Sequence, residues 1–145
     1  EATTALDVMV QAQIFELIGR LKEEFDLSMI LITHDLSVLG DVCDRAVVMY
    51  AGRVAEIAPI ADLASRPAHP YTRRLVSSFP RVGGSRELPE SIAGDPPDLS
   101  GDIPGCLYAP RCPRASGDCL RGAPPPLDLG GGHLVYCTPG GIRHE

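Results

Sequence analysis

The sequence predicts an α/β fold followed by a small irregular extension rich in Cys, Pro and Gly, and two observations carry that expectation. Between residues 8 and 57 a helical period of apolar residues alternates with short apolar runs, as in a sheet covered by helices. Residues 81–145 hold 12 of the 15 glycines, 10 of the 14 prolines and four of the five cysteines. Such a composition forms little regular structure without a crosslink. Two unequal pieces are therefore expected, 1–80 and 81–145.

The elements follow in order. Val10, Ile14, Leu17, Ile18, Leu21 and Phe25 recur three, four or seven apart, whereas Glu16, Arg20, Lys22, Glu23 and Glu24 fall elsewhere. This predicts a helix that starts soon after Asp7 and turns its apolar face to the core. Ser28–Thr33 is almost continuously apolar, as expected of a parallel strand covered on both faces. A short helix capped by Asp35 should run to about Cys43, and Arg45–Tyr50 reads as a strand that turns at Gly52-Arg53 into Val54–Ile57. Pro59 and Asp62 introduce a short helical stretch ending before Pro67. A second begins at His69 and stops at Pro80. Cys43, alone in an apolar segment, reads as a small buried hydrophobe.

Net charge of −6 offers no basic surface, so nucleic acid is not an expected partner. No apolar run approaches the ~20 residues that a bilayer span needs. A soluble or peripherally attached protein is the expectation.

Two carboxylates and a histidine carry the candidate chemistry. Glu1 opens Glu1-Ala-Thr-Thr-Ala-Leu-Asp7, and His34 closes the apolar run in Leu31-Ile-Thr-His34-Asp35. A carboxylate just past a buried strand can orient a water and take its proton. A histidine at the carboxyl end of a strand emerges where α/β proteins bind ligands.

In order and spacing these motifs resemble those of ATP-binding-cassette (ABC) ATPases. The resemblance implies the C-terminal part of a P-loop NTPase domain working with ATP and Mg2+. In it Glu1 is the catalytic glutamate that ends the Walker B strand, Asp7 is the D-loop aspartate that communicates across a dimer, and His34 is the switch histidine on the γ-phosphate. Ala2 stands where that family usually has proline, which relaxes the backbone at Glu1. No Gly-x-x-x-x-Gly-Lys-Ser/Thr loop occurs, so these residues alone are not expected to hydrolyse ATP.

A narrower resemblance comes from His69-Pro-Tyr-Thr-Arg-Arg-Leu75, Gly94-Asp-Pro-Pro-Asp-Leu99, Gly105-Cys106, Ala109-Pro-Arg-Cys-Pro113, Cys119, Pro125-Pro-Leu127 and Cys137. These look like the C-terminal extension of oligopeptide/dipeptide importer ATPases. The resemblance implies an energy-coupling subunit at the cytoplasmic face of the membrane. Its partners would be a second ABC ATPase subunit, transmembrane permease subunits and, indirectly, a substrate-binding protein. The alternative is a metal-binding regulatory module with an inactive ATPase part.

Cys106, Cys112, Cys119 and Cys137 are separated by five, six and seventeen residues. Disulfides suit such a tail but not the reducing cytosol. Zn2+ held by four thiolates is chemically reasonable, although no paired C-x2-4-C knuckle occurs. A 4Fe-4S cluster accepts wider spacing, and an unmetallated thiol tail is a further reading. Arg111, Arg114 and Arg121 are placed to compensate thiolate charge. The importer resemblance favours the cluster, which is associated with cysteines of this extension in some members. His133, four residues before Cys137, could replace a cysteine as ligand but reads better as a surface-loop histidine, and His69 reads as a packing or capping residue.

Overall fold

The computed structural model describes residues 7–78 and 92–142, which form two compact units divided between Asp44 and Arg45.

The first unit is helical. Helix α1 spans Val8–Glu24. Asp7 caps it, its Oδ1 accepting the Val10 N–H at 2.9 Å, which satisfies one of the first-turn donors that have no partner within the helix. At the other end the Leu27 N–H reaches back to the Lys22 carbonyl at 2.9 Å, and Asp26 adopts φ 50°. This left-handed cap closes the last turn. A 3-10 turn at Leu36–Val38 runs into α2, Leu39–Val42.

Two expectations for this unit are not met. The apolar face of α1 is not core: Leu17 is 52% and Phe25 61% exposed. Ser28–Thr33 is not a strand, and Ile30 and Ile32 within it are exposed. One physical cause serves both. A strand exists through its ladder partners, and every described strand belongs to the second unit.

That unit holds an antiparallel sheet rather than a parallel one, in the order β1-β2-β4-β3. Strands β1 (Arg45–Tyr50) and β2 (Arg53–Pro59) form the expected hairpin. Its two-residue turn is Ala51-Gly52, at φ 49° and 81°, the double positive φ that matches the twist of paired strands. Helix α3 (Ile60–Ser65) and α4 (Pro70–Ser77) follow as the prolines foretold. Val48, Ala58 and Leu63 make one core with Ala46, Tyr71 and Leu75 around them.

The chain beyond residue 91 is mostly irregular. It carries a 3-10 turn at Ala109–Arg111, the short α5 (Asp118–Arg121), then β3 (Leu127–Asp128) and β4 (Leu134–Val135). Glu56 and Ile57 of β2 pair with Val135 and Leu134 of β4. The sheet thus joins residues from both sides of the change in composition near residue 80. A second core of Ala68, Val135, Cys137 and Ile142 lies beside it. Two arginines tie down the irregular stretch. Arg53 donates to the carbonyls of Ile103 and Gly105, and Arg111 to those of Ile92 and Ala93.

Candidate functional site

Glu1 lies outside the described residues. Asp7 is the cap of α1, and His34 is exposed at the bend that ends the Ser28–Thr33 run.

Cys106, Cys112, Cys119 and Cys137, by contrast, line one cavity, together with His69, Tyr108, Arg114 and Thr138. The cavity is about 10 Å3, close to the room one water needs. Backbone contacts draw the four together. The Cys106 N–H donates to the Cys119 carbonyl at 2.7 Å. A Cβ on Gly105 would collide with that same carbonyl, so glycine is required by the approach of the two loops. The 3-10 turn carries the chain from Cys106 to Cys112, the Cys112 N–H donating to the Ala109 carbonyl at 3.2 Å. Cys137 follows β4 directly, and a Cβ on Gly141 would strike its sulfur.

The thiols differ in their electrostatics. Burial, followed by the three neighbouring thiols, pushes Cys137 up to about 12. Burial also raises Cys106 and Cys112. At Cys119 burial acts in the same sense, but hydrogen bonds from the Ser116 backbone and from the Thr138 and Ser116 hydroxyls outweigh it and hold the thiol below its ordinary value. Of the arginines expected to compensate thiolate charge, Arg114 acts against the rise at Cys112 without cancelling it. Arg121 instead pairs with Asp118 on the surface, and Arg111 is spent on two carbonyls and the Tyr50 hydroxyl.

The wall of the cavity is aromatic. Tyr108, 2% exposed, meets Tyr50 edge-on at 5.2 Å and lies 5.4 Å from Tyr71 and 6.0 Å from the His69 ring. His69 fulfils the capping expectation, its Nδ1 accepting the Tyr71 N–H at 3.0 Å. Burial pushes its pKa down to about 4, against the opposing charge of Glu56.

Sequence reasoning missed one feature and misread another. His133 is not a surface-loop residue: it is buried, and its Nε2 stands 2.6 Å from Oε1 of Glu56 in β2, itself fully buried. The same carboxylate accepts the N–H groups of Ala68 at 2.7 Å and His69 at 2.9 Å. Strand parity could have revealed Glu56, which shares a face of β2 with Val54 and Ala58. His133 was hidden by the glycines before it.

Among the described residues no three His, Cys, Asp or Glu side chains converge closely enough to hold a single metal ion. The four thiols are soft donors around one small cavity.

The segment that builds this cavity has known counterparts. Residues 55–119 match the oligopeptide/dipeptide transporter C-terminal region. The chain is 47% identical over 139 residues to a probable peptide ABC transporter ATP-binding protein of Sinorhizobium fredii, a match covering 94% of the chain and 41% of the relative. It is 44% identical to the oligopeptide transport ATP-binding proteins AppD of Bacillus subtilis and OppD of Escherichia coli, over 94% of the chain and 42% and 40% of the relatives. Over nearly all of its length the chain is thus similar to part of these peptide-transport ATP-binding proteins. It spans about two fifths of the length of the curated relatives it matches.

Proposed function

We propose that the chain is part of the ATP-hydrolysing subunit of a peptide importer, working with ATP and Mg2+ at the cytoplasmic face of the membrane. The observation that carries this reading is the match over 94% of the chain to ATP-binding proteins of peptide transport. Among the described residues no helix is long and apolar enough to cross a membrane, which accords with a peripheral subunit docked on permease partners. In this reading residues 1–80 belong to the nucleotide-binding domain and 81–145 to the cysteine-rich extension. Glu1 orients the attacking water and accepts its proton, His34 contacts the γ-phosphate, and Asp7 relays dimer closure to a second ATPase subunit. In the complete subunit, Glu1→Gln should leave ATP binding intact and cut hydrolysis by roughly two orders of magnitude or more. Near-normal steady-state turnover would sink the assignment.

The cysteine cavity we read as the site of a 4Fe-4S cluster. The observation behind this reading is that the four thiols line one cavity. Cys106, Cys112, Cys119 and Cys137 would hold it as thiolates, and the cluster would supply crosslinking to a region poor in aliphatic residues. The loops would have to draw back from one another, since the cavity is small. Protein purified without oxygen should carry about four irons per chain and absorb broadly near ~400 nm. Serine at any one of the four should remove the iron, and Cys43→Ser should not. Stoichiometric zinc without iron would refute the cluster.

A further inference from the structure

We propose that Glu56 and His133 are the positioning pair of the cysteine site, a buried hydrogen-bonded knot that sets His69 and Cys137 in their places on the cavity wall. The inference rests on reading the four cysteines as one site. The cavity is walled by segments far apart in the chain, and two of them, at His69 and at Cys137, are reached from the Glu56 carboxylate. Strand β2 carries it. Oε1 and Oε2 accept the N–H groups of Ala68 and His69, fixing the turn that puts the His69 ring on the wall. Oε1 also meets His133, 77 positions further along the chain, at the turn leading into β4 and Cys137.

Both carboxyl oxygens accept backbone donors, and the His133 Nε2 completes the set at 2.6 Å from Oε1. The β2–β4 ladder covers only two residue pairs, Glu56 with Val135 and Ile57 with Leu134, and the Tyr136 N–H adds one bond to the Ala55 carbonyl. So short a ladder leaves much of the register to the side chains around it. The knot lies at the ladder itself, fully buried, where a hydrogen bond is stronger than in water. A glutamine at 56 has the same size but must turn its amide N–H2 toward a donor. It cannot reproduce the knot.

The test uses the full chain, handled without oxygen, with chelator present for one measurement and with ferrous iron and sulfide supplied for the other. The first counts alkylation of each cysteine by iodoacetamide under native conditions. Glu56→Gln and His133→Ala should speed modification of Cys119 and Cys137 by at least about tenfold and leave Cys43 unchanged, since loss of one partner uncovers a buried charge or donor. His133→Gln, which keeps a donor at similar reach, should return most of the protection. Val48→Ala truncates the other core and should not expose the two thiols. Wild-type protection in Glu56→Gln, equal exposure in Val48→Ala, or no rescue by His133→Gln would each overturn the pair. The second measurement reads iron content and visible circular dichroism, both of which should fall in Glu56→Gln; iron loading at the wild-type level would also overturn it. If the wild type binds no iron, the cluster reading fails while thiol protection still decides the role of Glu56 and His133.

Discussion

The first unit has the richer hydrophobic pattern and the second has nearly all of the core. Of the buried apolar residues described, Val42 alone precedes Arg45, although α1 and the run after it are the most regularly apolar stretches of the chain. The second unit is poor in aliphatic residues. It nevertheless buries Val48, Ala58, Leu63, Tyr108, Val135 and Ile142, and its polar Glu56 and His133 are as deeply buried as any of them. Periodicity therefore names the element that forms, whereas burial depends on whether something stands opposite it. In the second unit that something is often a backbone carbonyl, an arginine clamp or a carboxylate.

Paired truncations test this contrast most severely. Leu63→Ala, in the core of the second unit, should cost about 2–5 kcal/mol by transfer and cavity terms. Leu17→Ala, on the exposed face of α1, should stay within about 0.5 kcal/mol. Urea unfolding of both variants checks the pair, and equal losses would break the comparison.

Acid should sharpen it next. The folded-state pKa of His69 lies near 4, below the ordinary 6.5. Its protonation therefore favours the unfolded chain: the contribution is present above pH 6.5 and is lost as pH falls toward 4. Between pH 7 and pH 5 the wild type should lose about 2 kcal/mol more than His69→Asn, which retains a helix cap without the titration. A parallel pH dependence in the two proteins would contradict it. The smallest effect is expected at Asp7→Ala, about 1 kcal/mol of helix stability from the lost cap. Amide exchange along α1 would report it, with β1 and β2 unaffected.

Much of the second unit was legible residue by residue. Arg45–Tyr50 and Val54–Ile57 flank a glycine, and Pro59, Pro67, Pro70 and Pro80 punctuate the helices, so hairpin and helices fell where local chemistry put them. Ser28–Thr33 failed because strand formation is not local. Strands β3 and β4 escaped notice because two residues each give no period to read, and Gly130, Gly131 and Gly132 between them look like linker. All three take positive φ, which is why they are glycines. The four cysteines were legible as a set from their confinement to one segment. The knot beside them was not, because a buried hydrogen-bonded pair leaves two ordinary polar letters far apart in the text.

That distance has a consequence for how the chain is made. Strand β2 leaves the ribosome before β4 is made, and His133, which precedes β4, follows 77 positions behind the buried carboxylate. At about 5–20 residues per second, translation leaves the β4 edge of β2 waiting on the order of 4 to 15 seconds. During this interval Glu56 faces water rather than His133, and a charged residue on an open strand edge discourages pairing with another chain. The same carboxylate that is buried in the finished sheet would guard the unfinished one.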